Sequence, residues 1–275
     1  MTMQGTPTLD TSGDEGFGRK KLSEIPLALL LLAPSLLIYS VFIFYPLART
    51  VWLGFYREDP FGGRVYAGFE QYGDVLTSSD FRHSLWITLM FAIITVGFGL
   101  VFGVTLATLA HQRIKGITVF RTIFSSTVAT SVAVASLIWL VLFQPSIGVV
   151  NQFLKSIGQE PVQWLLDADT ALFAVAATTV WQNLGITFII LIAGLQGIPD
   201  DLYESARVDG ASAWLQFREI TLPMLSPTLL FVSVILTINA FQSFGQIDLL
   251  TQGGPSDSTR VIVYSIYQEA FQNRN

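Results

Sequence analysis

The chain has 275 residues, of which 51% are hydrophobic and only 13% charged, at a mean hydropathy of +0.55. A soluble domain carries about 25% charged residues, so charge this sparse argues against a water-soluble globule and for a polytopic membrane protein. The net charge of −5 is too mild to imply a nucleic-acid partner, and the lack of cysteine excludes disulfides, thiol catalysis and thiolate metal sites.

Residues 1–18 are rich in Thr, Gly and Asp and poor in apolar side chains, which predicts a disordered tail. Arg19, Lys20 and Lys21 follow, and then an uncharged run from 25 to 48. About 20 apolar residues cross a bilayer, so this run predicts a first span, too long for the core of a cleaved signal and with Pro34 as a kink point. A polar segment, 57–82, predicts an external loop with short helices near Glu70 to Leu76. The second uncharged run, 84–110, carries Thr95, Gly99, Gly103 and Ala107 at four-residue spacing, a small-residue face that lets another helix approach closely.

The short connection 111–121 holds Arg113, Lys115 and Arg121 and no acid, which places it in the cytoplasm by the bias of basic residues. A third span is predicted over 122–143. Ile147, Val150, Phe153, Leu154 and Ile157 then recur at helical spacing, as in an amphipathic helix on the outer surface. Fourth and fifth spans are predicted over 171–198 and 222–247. A cytoplasmic N-terminus then puts 111–121 and 200–219 inside, and 57–82 and 144–169, with Lys155, outside. Beyond the fifth span, Val261 to Phe271 repeats an amphipathic pattern.

No G-x-x-x-x-G-K-[ST] phosphate-binding loop occurs, nor a Ser/His/Asp, HExxH or paired-acid constellation. His83 and His111 flank the second run at opposite ends and read as interfacial residues. The spans lack acids, bases and histidines, which weighs against proton-driven transport. Neutral polarity takes their place. Thr179, Gln182, Asn183 and Thr187 share one face of the fourth span beside Trp181. Asn239, Gln242, Ser243 and Gln246 fall at i, i+3, i+4 and i+7 of the fifth. Two readings stand side by side: lining of a path for a polyhydroxylated solute, or hydrogen-bonding between helices in lipid.

Between the last two spans lies a polar island, 199–223. Its pattern is a short helix carrying Glu204, Ser205 and Ala206, an interruption at Gly210, and a second short helix with Trp214, Leu215, Phe217 and Ile220. Taken alone it reads equally as a connector on the membrane surface. The island is acidic, with Asp200, Asp201, Glu204, Asp209 and Glu219 against Arg207 and Arg218, which suits a protein partner that supplies basic groups.

Glu204-Ser205-Ala206, then three residues, Gly210, nine residues and Ile220-Thr221-Leu222-Pro223 resemble the EAA loop of the permease subunits of bacterial ABC importers. Ser205 departs from the family's alanine, and Asp209-Gly210-Ala211 resembles the carbohydrate-type branch. Asp59-Pro60-Phe61-Gly62 and Ser258 to Phe271 are similar to glycerol-3-phosphate permeases. The resemblance, which runs from about Lys20 onward, implies an all-α type I importer permease fold in the bacterial cytoplasmic membrane, with a sixth span beyond residue 275. It implies that Glu204, Ser205, Ala206, Asp209, Gly210, Ala211, Ile220, Leu222 and Pro223 couple the chain to an ATPase. ATP and Mg would be bound by two ATPase subunits or a homodimer. A second homologous permease and an external solute-binding protein would complete the complex, carrying a sugar or glycerol-phosphate-type solute. The competing classes are an ATP-independent secondary carrier and a non-transporting membrane scaffold.

Overall fold

A computed structural model of the chain describes residues 16–59, 62–111 and 116–272. The tail 1–15, Pro60-Phe61, and Arg113 and Lys115 lie outside the described residues, whereas Gly16 to Gly18, expected in the tail, already belong to the first helix. The chain divides after Thr77 into two compact units.

In the first unit, α1 (Gly16–Tyr39) runs through Pro34 without interruption. The irregularity comes later, in a wide turn at Ser40–Phe44, before α2 (Tyr45–Leu53). The apolar stretch Pro26–Leu53 is long enough to span a bilayer. A two-stranded hairpin, β1 (Tyr56–Glu58) against β2 (Arg64–Tyr66), and α3 (Glu70–Thr77) form the polar segment. Tyr72 Oη donates to Val51 O at 2.7 Å, and Arg57 pairs with Asp74 at 2.6 Å, so the segment is ordered from within.

The second unit is built on two long helices, α4 (Ser79–His111) and α8 (Ala168–Gln196), with α11 (Leu222–Phe241) packed on both. Thr95, Gly99, Gly103 and Ala107 are all buried, as the small-residue spacing predicts. A Cβ on Gly99 would stand 3.0 Å from the Leu236 side chain, and one on Gly103 would meet the Thr187 side chain, so side chains of α11 and α8 pack onto the bare backbone of α4 at these two glycines. One apolar cluster centres on Phe91, Val175, Ile247 and Tyr264, another on Phe188, Leu191, Leu225 and Leu236. Burial, followed by Asp248 and Tyr267, pushes the Tyr264 hydroxyl above its ordinary pKa against the pull of Arg260.

The third predicted span is not one straight helix. It is α5 (Ile117–Ser125), a tight turn at Ser126–Ala129, and α6 (Val132–Leu142), bent by 110°. Thr130 is extended, and the Ser131 side chain accepts from Val134 N at 3.3 Å, an N-cap that starts a new helix inside an apolar run. With this pair taken as one broken span, up to five crossings are present among the described residues. The fifth predicted span also stops early. α11 ends at Phe241, and α12 (Gly245–Leu250) begins after a three-residue break. Gly245 lets α6 in at that point: a Cβ there would lie 2.7 Å from Val132.

The predicted surface helix is α7 (Val149–Ser156), with Ile147, Val149, Phe153 and Ile157 exposed on its apolar side. Asn151 anchors it, donating to the Pro145 and Val162 carbonyls and accepting from Val162 N and Trp164 Nε1. α13 (Ile262–Tyr267) is tied to α4 through Ile262 N to Thr88 Oγ1 at 2.9 Å and the Ser84–Ser265 pair at 2.8 Å.

Candidate functional site

The two helix breaks border one cavity. Between α5–α6, α8 and the α11–α12 junction lies a space of about 370 Å3 lined by Thr127, Thr130, Thr179, Gln182, Asn183, Asn239, Gln242, Ser243 and Gln246 among others, none of them charged. The predicted polar faces of the fourth and fifth spans therefore meet. The second does not lie on one helix: Asn239 is on α11, Gln242 and Ser243 occupy the break, and Gln246 is on α12. Trp181 lies elsewhere, against Trp139 in an apolar groove with Phe98, Phe102 and Phe173.

The amides also join the helices. Gln246 Nε2 donates to Gln182 Oε1 at 2.8 Å, and Gln182 Nε2 to the Thr130 carbonyl at 3.3 Å, so one chain of bonds runs from α12 through α8 to the α6 break. Ser243 Oγ donates to Gln246 Oε1 at 3.1 Å. Asn239 Nδ2 donates to Asn183 Oδ1 at 3.2 Å, and Asn183 Nδ2 to Thr179 O at 3.0 Å. The two readings of these residues are thus compatible, since the bonded amides that hold the helices together also face the cavity. Gln242 differs. It is exposed, and its side chain has no hydrogen bond among the described residues.

The polar island folds as α9 (Asp200–Val208), a turn, and α10 (Ala213–Gln216). Asp200 and Asp201 sit in the first turn of α9 and Arg207 in its last, each favoured by the helix dipole. The turn closes with Ala211 N to Ala206 O at 2.9 Å over Gly210, whose φ of +77° is the left-handed conformation that ends helices. Ser212 then caps α10, accepting from Leu215 N. α10 is not a separate helix followed by a span. It continues through a wide turn, Phe217–Thr221, into α11, one helical rod from Ala213 to Phe241.

Glu204, Ser205, Asp209, Gly210, Leu222 and Pro223 are exposed, and Ala206, Ala211 and Ile220 half-buried. Neither Glu204 nor Asp209 has an ion pair among the described residues, and Val208 is 88% exposed beside them. The loop is held from behind instead: Tyr203 Oη and Thr221 Oγ1 are 2.9 Å apart, and Gln216 Nε2 donates to Ala211 O at 2.8 Å. Of the histidines, His83 Nε2 stands 3.3 Å from the Asp257 carbonyl, and His111 lines a small cavity behind the loop. Sequence reasoning missed that cavity, because its walls come from elements far apart in the chain. No group of His, Asp and Glu among the described residues is arranged to hold a metal ion.

Helices long and apolar enough to cross a membrane thus enclose an uncharged hydrogen-bonding cavity and carry an exposed acidic loop, features expected of the spanning subunit of a transporter. A family profile described as "Binding-protein-dependent transport system inner membrane component" matches residues 99–273, which contain both the cavity and the loop. The chain is 34% identical over 250 residues to the sn-glycerol-3-phosphate transport system permease protein UgpA of Rhizobium meliloti (strain 1021), covering 90% of this chain and 84% of that protein. It is 34% identical over 243 residues to the trehalose/maltose transport system permease protein MalF of Thermococcus litoralis, covering 88% and 82%. Among solved structures, a chain of a bacterial ABC transporter involved in the import of the acidic polysaccharide alginate superposes with a TM-score of 0.77 at 25% identity, covering 95% of this chain and 89% of that one. The chain belongs to the family of binding-protein-dependent inner-membrane components, as a permease subunit of an ABC importer with the type I fold. It is a transport subunit rather than an enzyme.

Proposed function

We propose that the loop 199–223 is the element through which this permease meets its ATPase, and that it faces the cytoplasm. The observation that carries this reading is the Gly210-closed turn. It holds Glu204, Val208 and Asp209 outward at the end of α9, with no ion pair to the two acids among the described residues, and leads directly into the helical rod Ala213–Phe241. An acid and an apolar side chain displayed together suit a cleft that offers a basic group and an apolar floor. Two ATPase subunits or a homodimer, binding ATP and Mg2+ themselves, would seat the loop. A second homologous permease would complete the path, and an external solute-binding protein would deliver the solute.

The cavity at the two helix breaks is the proposed solute path. Hydroxyls and amides without formal charge match the hydroxyl groups of a sugar or a glycerol-phosphate-type polyol, and the relatives named for glycerol-3-phosphate and for trehalose/maltose support that class. Solute-stimulated ATP hydrolysis of the complex reconstituted in lipid tests the reading, with sn-glycerol-3-phosphate, trehalose and maltose as probes. Stimulation by one of them, lost on Gln242→Leu, is the expected result. Hydrolysis that no polyol stimulates in the presence of the cognate binding protein overturns it.

A further inference from the structure

Thr108 and His111 stand one turn apart at the end of α4, and both line a cavity of about 210 Å3 between that end and the root of the loop. Tyr203 of α9, Gln216 of α10 and Thr221 close its other side. Thr108 Oγ1 and His111 Nδ1 are buried and meet no hydrogen-bond partner among the described residues. The loop wall, by contrast, is bonded within itself, through the Tyr203–Thr221 pair and through Gln216 to Ala211.

Buried polar groups are nearly always satisfied, by protein or by ordered water. A water occupies about 30 Å3 and needs two to four polar partners, so the cavity has room for several. The orphaned atoms of α4 supply partners on one wall, and Tyr203 Oη, Thr221 Oγ1 and the Gln216 side chain supply them on the other. The neighbouring attachment is of a different kind. Arg121 Nε and Nη2 both donate to the Ala110 carbonyl, at 3.1 and 2.8 Å, pinning α5 directly to the same helix end. A direct pair of hydrogen bonds fixes two elements; bridging water keeps polar groups satisfied while the elements shift.

We propose that this cavity is a hydrated joint: ordered water bridges the end of α4 to the root of the loop, and Thr108 and His111 are positioning residues for coupling. The inference rests on the reading of the loop as the ATPase contact. It makes the two residues matter to how much solute moves per ATP, not to whether the ATPase binds.

The test uses the whole complex in proteoliposomes and reads transport and ATP hydrolysis together. Thr108→Val and His111→Phe keep shape and remove the polar atoms. Each is expected to leave ATPase association intact and to lower solute transported per ATP roughly three- to tenfold, the effect of losing one or two modest hydrogen bonds from one of two states. Thr108→Ser should restore the ratio. His111→Asn, which keeps a polar atom near the Nδ1 position, should restore it better than His111→Gln, which reaches toward Nε2; a purely space-filling role would not separate these two. Normal coupling in both Thr108→Val and His111→Phe overturns the joint, as does equal behaviour of the Asn and Gln variants. Should His111→Phe fail to assemble, the Thr108 pair decides alone. Glu204→Lys run in parallel separates the two levels: if it too leaves ATPase binding and coupling normal, the loop reading itself has failed.

Discussion

The cavity and the loop treat polarity in opposite ways. In the cavity, uncharged amides satisfy one another across helices, Gln246 to Gln182 and Asn239 to Asn183, and the Gln242 side chain has no partner among the described residues. In the loop, Glu204 and Asp209 have no ion pair within the described chain, and the backbone turn is what is satisfied. The difference teaches where each region's partner comes from. A charge in the bilayer interior costs several kcal/mol unless compensated, so the membrane region closes its polar groups internally. At the loop, water solvates the exposed carboxylates. A residue whose polar atoms are already paired is structural first, and one held outward unpaired is available for recognition.

The sharpest way to break that comparison is to reverse the loop's charge. Glu204→Lys should reduce ATPase association by tenfold or more, since like charges juxtaposed at an interface cost several kcal/mol, with the solute-binding protein still docking. Pull-down of the ATPase by the purified permease pair measures it, and wild-type association would make the loop a passive connector. Gly210 comes next. A Cβ there meets no atom within 4 Å, so the cost is conformational rather than steric. Gly210→Val should weaken ATPase association roughly five- to thirtyfold, from about 1–2 kcal/mol of left-handed strain. Gly210→Asn, which tolerates that conformation, should stay close to the parent. Equal loss in both variants would point to a requirement other than the turn.

Inside the cavity the comparison can be sharpened with two substitutions of like size. Asn239→Leu orphans Asn183 Oδ1 and should cost about 1–3 kcal/mol of stability along with transport. Gln242→Leu breaks no bond within the described chain, so it should lower transport while leaving the melting temperature of the purified complex within about a degree. Loss of stability in Gln242→Leu would show that it too is structural. The smallest effect concerns orientation. Because the chain has no cysteine, Lys155→Cys and Lys115→Cys are single-thiol proteins without further engineering. An impermeant thiol reagent on intact cells should label the first and not the second, with uptake nearly unchanged in both.

Much of this was legible in the sequence, for identifiable reasons. The long apolar runs announced α4, α8 and α11, because a bilayer imposes a length on any helix that crosses it. The loop was legible because Glu204, Gly210 and Pro223 stand at fixed gaps, and the structure shows Gly210 in the left-handed turn that only a small set of residues adopts easily. The breaks were not legible. Neither Thr130-Ser131 nor Gln242-Ser243 contains proline or glycine, and hydropathy does not register a serine that caps a helix with its own side chain. Trp181 was grouped with the polar face by sequence proximity, but a single residue of helix turns the face by about 100°, and Trp181 packs on Trp139 instead. The cavity at His111 is closed by Tyr203 and Thr221, about a hundred residues away, and no local pattern encodes it.

The wide turn at Phe217–Thr221 sets the phase between the two regions. Leu222 N bonds to Phe217 O, five residues back, and the Thr221 hydroxyl reaches the Gln216 carbonyl at 3.4 Å, so this turn holds one residue more than an α-helical turn would. Each residue of an α-helix advances the azimuth by about 100°. Deleting the exposed Glu219 would let the turn relax to one ordinary α-helical turn and would leave the azimuth beyond it nearly unchanged, whereas deleting a residue within α11, which has no such slack, would rotate everything beyond it by roughly that angle. Only in the second case would Asn239 swing away from Asn183, while Glu204, Gly210 and the surface they offer stayed as they are. The turn is thus a splice that takes up one residue between two frames of one rod: the upstream frame adjoins the loop surface, and the downstream frame carries Asn239 to the cavity wall.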